Sequence, residues 1–424
     1  MKINELHIRG LFGIYDYNIH FNDPLTIITG PNGYGKTTIL KIINSLNSER
    51  LYFFYTLKYK SIEFVFDDAS TLFIKKTDVP LNESEGSDEA APLDKVVKFV
   101  WKKGEVSNTF TYNSRVINNA KRLVSTRQRL SYHISDTESI EEANAPMMTE
   151  NFNRIIAKEN NQLDFLLKLD SIKTSFISIN RIEKNTDGQY PISEIVENIK
   201  HILFHIRFKK YLTKLSDLND KLIQDIVNNP SMEECSEEQY NDLRKEVVAK
   251  YDTLIKYGIT SQVPIPEYQP NNGVRYLFLK GQADIVRACY EEIQKVEIYD
   301  RLLSSKDFSH KKILFGPDFG MRAVSINDEG ESVKFLNLLQ LSSGEQEELV
   351  MLYMLIFEGG KNSIYMIDEP ENSLHIAWQE LFIDDINLIA KENKMQVVVA
   401  THSPMIVTAG GDIDIDLYDL SNRR

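Results

Sequence analysis

Cysteine is almost absent from this sequence, and the two present, Cys235 and Cys289, stand too far apart for a C-x-x-C pair or a disulfide framework. That excludes the small disulfide-stapled secreted class and points to a reducing compartment, with both thiols structural. Long apolar runs are missing too. The longest, Leu349–Phe357, is roughly half the ~20 residues that a membrane span needs. Met1–His7 lacks the apolar core of a signal peptide. The expectation is a soluble, cytoplasmic protein with no membrane partner. Positive charge is in deficit: 49 Lys and Arg against 62 Asp and Glu leave a net charge of −13. The chain as a whole therefore repels a nucleic-acid backbone, and any such contact needs a local basic patch. What is present is ordinary for a globular protein, 42% hydrophobic and 26% charged residues. A chain of 424 residues accommodates two or three domain-sized units, or one core carrying a long insertion.

The texture along the chain favours the second arrangement. Leu6–Arg9 and Tyr15–Phe21 alternate around Gly10 and Gly13, predicting a hairpin. Leu25–Thr29 is a β-branched run typical of a buried strand, followed by a glycine-rich turn and a helix bearing Ile39, Leu40, Ile42, Ile43 and Leu46. Ser61–Phe66, Thr71–Lys75 and Val96–Trp101 read as an antiparallel meander, with acid-rich Asp78–Asp94 as a surface loop. From about 114 to 305 the texture is helical, with one strand at Ser175–Ile179 and helices at Tyr240–Tyr257 and Ala283–Leu303. After Lys312 it returns to α/β: a helix at Gly344–Phe357, a strand at Ser363–Ile367, a helix at Ile376–Glu392, then strands at Gln396–Ala400 and Ile413–Leu420. The expected fold is α/β, a core of residues 1–110 and 312–424 interrupted by a mainly helical insertion at 111–311.

Chemistry concentrates at the two ends of the chain. Gly30-Pro31-Asn32-Gly33-Tyr34-Gly35-Lys36-Thr37 matches G-x-x-x-x-G-K-[ST], with a strand before it and a helix after it. Such a turn lets backbone N–H groups close around a β-phosphate, and the helix N-terminus adds its positive dipole end. The candidate nucleotide-binding residues are Asn32, Gly33, Gly35, Lys36, Thr37 and Thr38. Lys36 reaches the β- and γ-phosphates of ATP, and the Thr37 hydroxyl ligates Mg²⁺. Ser363–Ile367 then delivers two adjacent carboxylates, Asp368 and Glu369, to a strand end. Asp368 is the candidate metal residue, and Glu369 the general base that polarises the attacking water.

Three further motifs carry a resemblance. Leu341-Ser342-Ser343-Gly344-Glu345-Gln346 resembles the ABC signature motif and stands before a helix. Pro370-Glu371-Asn372-Ser373-Leu374-His375 resembles the D-loop of ATPases whose Walker B reads DEPExxLHP, with Ile376 replacing the final Pro. Thr401-His402-Ser403-Pro404 follows a strand as a switch histidine does. Together the motifs resemble the RecF, SMC and overcoming-lysogenization-defect group of ABC-type ATPases, over about residues 1–75 and 312–420. The resemblance implies an ABC-ATPase core with an antiparallel β subdomain and a composite site. Ser343, Gly344 and Glu345 of one chain would close on the nucleotide of a second copy, and His402 would sense its γ-phosphate. The same residues also suit a helix cap, with Ser343 capping Gln346. No glutamine stands out for the family's Q-loop; Ser178-Ile179-Asn180-Arg181 is the stand-in.

The resemblance does not cover the middle. Arg115, Lys121, Arg122, Arg127 and Arg129, flanked by Tyr112 and Tyr132, suit either a solvated helix face or a phosphate backbone. Leu212, Leu215, Leu218 and Leu222 suit a short coiled-coil arm or a compact helical subdomain. After His402 too few residues remain for the nuclease domain that overcoming-lysogenization-defect proteins carry. An effector is therefore expected on a separate protein. Two functions follow from the resemblance. One is the sensor or scaffold ATPase of an anti-phage defence module, similar to the stand-alone ATPases of Septu-type, PARIS-type and retron-linked systems. It would act as a homodimer or larger homo-oligomer with a separate nuclease or toxin. The other is a RecF-like or SMC-like ATPase of DNA repair or chromosome maintenance. Acidic charge and the short arm favour the first.

Overall fold

Ile62, Phe64 and Phe66 alternate with less buried neighbours along β4 (Ser61–Phe66), so this strand lays one face on a core and leaves the other to solvent. The same alternation runs through a six-stranded antiparallel sheet. Its other strands are β1 (Ile3–Leu11), β2 (Tyr15–His20), β5 (Thr71–Pro80), β6 (Leu93–Lys103) and β7 (Val106–Tyr112), in the order β2-β1-β4-β5-β6-β7. The computed structural model describes residues 1–80, 93–112, 163–177, 191–215, 235–261, 265–270, 273–306, 308–327, 329–358, 360–372 and 374–422. They form two compact units, Met1–Ile179 with Gly359–Arg424, and Asn180–Glu358.

In the first unit a second, parallel sheet of five strands faces the same core. Its strands are β3 (Leu25–Thr29), β8 (Thr174–Ile177), β12 (Ile364–Asp368), β13 (Gln396–Ala400) and β14 (Asp414–Asp416), ordered β14-β3-β13-β12-β8. Every residue of β12 and β13 is buried, as continuous apolar runs covered on both faces must be. Helix α1 (Lys36–Asn44) buries Ile39, Leu40, Ile42 and Ile43 in one cluster with Leu6 and Ile8 of β1, and Met366 and Val398 of the parallel sheet. The short α3 (Leu163–Asp170) adds Phe165, whose ring stacks on Phe110 at 5.5 Å; a second short helix, α2, spans Tyr52–Thr56. Gln396 is the polar exception in β13, as Asp368 is in β12. The Gln396 amide accepts from the Ile3 N–H and donates to the Ile3 carbonyl, both at 2.8 Å, and so joins the first residues of β13 and β1, one strand from each sheet.

The second unit contains the helices α4 (Pro191–Leu215), α5 (Glu237–Lys256) and α6 (Gly273–Ser304). Pro191 opens α4 where a missing N–H costs nothing, and Ser236 with Gln239 closes a capping box on α5. An antiparallel sheet, β9 (Lys311–Gly316), β10 (Gly320–Ile326) and β11 (Ser332–Leu336), packs on α4 and α6. Gly320 has φ +71°, and a Cβ there would lie 2.1 Å from the Val196 carbonyl, so helix and hairpin meet at backbone distance. α7 (Ser343–Tyr353) completes the unit. The unit boundaries thus fall at different residues from the 110/111 and 311/312 divisions read from sequence texture, because β9–β11 and α7 pack with the helices.

The mixed α/β class is as expected. Several boundaries differ. The helix expected to run to Phe357 is α-helical only to Tyr353 and continues as a π-helix over Met354–Glu358. The expected strand Ile413–Leu420 is β14 alone, followed by helix α10 (Leu417–Asn422). The Asp416 carboxylate accepts the Tyr418 N–H at 2.8 Å and turns the chain into a helix. Helix α8 (Ile376–Asn393) and the short α9 (Pro404–Gly410) complete the first unit. The basic segment Arg115–Arg129, the stand-in Ser178–Arg181, Leu218, Leu222 and most of the Asp78–Asp94 loop lie outside the described residues. Among the described residues no helix is long and apolar enough to cross a membrane.

The Gln396 clamp is testable. Gln396→Leu keeps the volume but strands two buried backbone groups of Ile3, at about 1–3 kcal/mol each. The expected outcome is a loss of about 2–6 kcal/mol, read as a lower urea midpoint. Both tryptophans, Trp101 and Trp378, lie buried in this unit, so intrinsic fluorescence follows its unfolding. An unchanged midpoint would show that the clamp contributes nothing.

Candidate functional site

Three neighbouring parallel strands end together. Register pairs Ile28 of β3 with Ala400 of β13, and Ala400 with Asp368 of β12. Loops leaving the C-terminal ends of adjacent parallel strands share one crevice, the usual place for ligands in such sheets. Here these loops carry Gly30–Gly35, Asp368–Glu369 and Thr401–His402.

The first loop is shaped by glycine. Gly30, Gly33 and Gly35 have φ of +134°, +88° and +91°, conformations that a side chain would strain. Gly35 caps α1, so Lys36, Thr37 and Thr38 form its first turn, where backbone N–H groups point outward without intrahelical partners. The Tyr17 hydroxyl donates to the Tyr34 carbonyl at 2.7 Å and ties the loop to the antiparallel sheet. Asn32 and Gly33 are exposed at its tip. The Lys36 ammonium donates to the Gly30 carbonyl at 2.9 Å. Burial pushes Lys36 below its ordinary pKa, opposed by the nearby carboxylates Glu369, Asp368, Glu371 and Asp416.

The second loop meets the first. The Thr37 hydroxyl donates to Asp368 Oδ1 at 3.2 Å, bringing together residues 331 apart in the chain. Burial raises the Asp368 pKa; the Thr37 hydrogen bond opposes the rise and the neighbouring Glu369 charge adds to it. Two hard oxygen donors side by side fit Mg²⁺, which needs only one or two protein ligands when a nucleotide supplies phosphate oxygens. Glu369 stands at φ +47°, a left-handed conformation that persists in a residue with a side chain where the surroundings over-determine it. Its N–H bonds to the Ala400 carbonyl at 2.8 Å, and its carboxylate accepts from Asn372 Nδ2 at 2.8 Å. The side chain is half-buried.

The third loop is held by Glu371. Its carboxylate accepts the Thr401 hydroxyl at 2.7 Å and the His402 N–H, leaving the imidazole exposed. Sequence reasoning assigned no task to Glu371 or Asn372 beyond the motif that contains them. Their signal is spacing: a carboxylate and an amide two and three residues after the candidate base.

Ser343, Gly344 and Glu345 lie in the other unit. The helix cap there falls one residue earlier than expected. Ser342, not Ser343, caps α7, and the capping box closes with Glu345 rather than Gln346. Glu345 wins because its carboxylate accepts the Ser342 N–H at 2.7 Å and its hydroxyl at 3.0 Å, while Lys311 holds it from the other side at 2.8 Å. Burial disfavours the Glu345 charge, but the bonds from Lys311 and Ser342 prevail and hold its pKa below the ordinary value. Gln346 instead donates its amide to the Leu341 carbonyl at 2.8 Å. Ser343 is therefore the first helical residue, and its hydroxyl is not spent on the cap.

The profile of the AAA ATPase domain family (AAA_15) matches residues 1–407. Over 48 residues, 11% of this chain, the sequence is 50% identical to the Septu protein PtuA of Bacillus thuringiensis, and the match spans 12% of that relative's length. Among solved structures the chain is loosely similar to the SMC head domain from Thermotoga maritima, with 13% identity, a TM-score of 0.34, and 98% of this chain and 94% of that one covered. The SmcHead bound to the C-winged helix domain of ScpA is similar at 14% identity and a TM-score of 0.35, with 96% and 92% covered.

Lys36→Ala removes the buried cation of the glycine loop. ATP affinity measured by calorimetry is expected to fall by at least about 100-fold. Wild-type affinity in this variant would refute the assignment of the loop.

Proposed function

The chain belongs to the AAA ATPase domain family (AAA_15), and from that premise we propose that it binds Mg-ATP on Gly30–Thr38 and hydrolyses it between two copies of itself. The observation that carries this reading is the Thr37–Asp368 contact with Glu369 beside it. On this reading Lys36 holds the β- and γ-phosphates, and Thr37 and Asp368 hold Mg²⁺. The metal, when bound, supplies charge neutralisation at the phosphates. Glu369, braced by Asn372, orients the attacking water, and His402 faces the γ-phosphate from the end of β13. The second copy contributes the N-terminus of α7, where Ser343 and the Gly344 N–H present a hydroxyl and a dipole end to the transferring group.

The biological role we propose is the sensor or scaffold ATPase of an anti-phage defence module that controls a separate effector protein. The stretch of identity with a Septu protein supports this reading, as do the motif set and the net charge of −13.

Glu369→Gln keeps shape and removes the base. It is expected to bind ATP without hydrolysing it and to accumulate as a dimer, visible in mass on adding Mg-ATP. Full turnover would assign the water to another residue.

The composite site has a sharper test. Ser343→Arg should spare ATP binding and abolish hydrolysis, while Lys36→Ala should lose the nucleotide itself. In an equal mixture with free exchange, half the dimers are mixed, and each has one sound site and one doubly damaged site. Activity should return to about a quarter of wild type if the sites act independently. A Ser343→Arg protein with wild-type turnover would rule out the dimer mechanism.

A further inference from the structure

A second cavity lies wholly in the Asn180–Glu358 unit, among the C-terminal ends of α5 and α6, the turn that follows α6, and β9. Its volume is about 510 Å³, within the usual range of about 300–1,000 Å³ for small-molecule sites. Lys256, Lys306, Lys311 and Lys312 line it against one described carboxylate, Asp300. That is a concentration of positive charge in a chain whose net charge is −13. Tyr257, Phe308 and Phe315 supply flat apolar walls. Ser309 and His310, successive non-glycine residues at φ +49° and +62°, form the turn that brings His310 into the lining. Such conformations persist where the surroundings demand them.

Three of the lysines are already tied to carboxylates. Lys256 meets Asp300 at 2.6 Å, and Lys306 meets Glu348 at 2.9 Å with both side chains 1% exposed. Lys311 meets Glu345 at 2.8 Å and keeps 24% of its side chain exposed. Lys312 is exposed and makes no ion pair among the described residues. Glu345 and Glu348 belong to α7, so two cations of the cavity wall hold the helix that begins at Ser343.

We propose that this cavity is a second ligand site for a small phosphate monoester with a flat aromatic body, and that Lys311 couples it to the start of α7. The phosphate takes Lys312 and draws Lys311 away from Glu345, while the aromatic walls hold the body. Glu345 then keeps the Ser342 capping box but loses its cation, which loosens the first turn of α7. Any effect on turnover rests on the composite-site reading; binding does not.

The test uses AMP as probe and the full chain carrying Lys36→Ala, so that the glycine loop does not compete. Calorimetry is expected to show saturable binding with a dissociation constant at or below about 1 mM. Lys312→Glu in the same background should weaken it by at least about tenfold. Lys312→Met, which removes the charge without reversing it, should weaken it less, and unchanged circular dichroism checks both folds. Adenosine and inorganic phosphate should each bind more weakly than AMP. Hydrogen exchange across 342–348 should quicken when AMP saturates the protein. No saturable binding, or binding indifferent to Lys312→Glu, overturns the site. Equal binding of adenosine or of phosphate overturns the ligand class, and binding with unchanged exchange overturns the link through Lys311. None of these readouts requires hydrolysis, so failure here is separable from failure of the ATPase reading.

Discussion

The hydrogen bond from Thr37 to Asp368 can form only because β3, β13 and β12 lie side by side with their ends in register. Thr37 starts a helix after one strand, and Asp368 ends another more than three hundred residues later. Strand β13 between them, with the Gln396 amide fastened to Ile3, keeps the parallel sheet aligned with the antiparallel sheet that supports the glycine loop through Tyr17. The remaining site contacts follow from that alignment. Glu369 is forced through a left-handed turn at the strand end, Asn372 braces it, and Glu371 reaches across to the loop leaving β13.

Much of this is legible in the residues because the relevant strands are extreme. Ile364–Ile367 and Val397–Ala400 are unbroken, mostly apolar runs bounded by turns, and the glycine loop has no other common use between a strand and a helix. Illegible features depend on contests between near-equal local options. Ser342 and Ser343 are both sound caps, and the choice is decided by Lys311, a residue from another element that fixes Glu345. Ile413, Ile415 and Leu417 alternate as a strand should, but Asp416 offers the backbone a closer acceptor. The apolar run through Phe357 gives no sign that its last turn widens to a π-helix. The braces Asn372 and Glu371 are visible as spacing, but only the fold shows what they hold.

The arrangement of β9–β11 explains the largest difference between texture and architecture. Those strands alternate like a part of the ATPase core, yet Gly320 admits α4 at backbone distance. Tyr299 of α6 donates to the Leu349 carbonyl of α7 at 2.8 Å in a buried setting. Arg322 lies between the Phe319 and Phe335 rings, its guanidinium 3.7 Å and 4.2 Å from their centroids. The helix bearing Ser343 is thus built into the helical unit, tied through Glu345 and Glu348 to Lys311 of β9 and Lys306 of the turn before it.

Charge at the strand ends bears on the proposed pairing of two copies. Four carboxylates, Asp368, Glu369, Glu371 and Asp416, act on Lys36, and Lys41 is a second cation near Asp368. A triphosphate brought to this crevice adds several negative charges to a neighbourhood already acidic. Backbone N–H groups and the dipole of α1 offset part of that, on the order of 0.5 elementary charge at a helix terminus. A divalent cation and a further positive dipole end over the γ-phosphate offset the remainder on the proposed reading. On the proposed reading the α7 N-terminus of a second copy supplies that end, and its Ser343 hydroxyl is available because Ser342 has taken over the cap. Hydrolysis by this chain would then depend on pairing for an electrostatic reason, and anything that shifts Lys311 from Glu345 would reach the site through that same helix end.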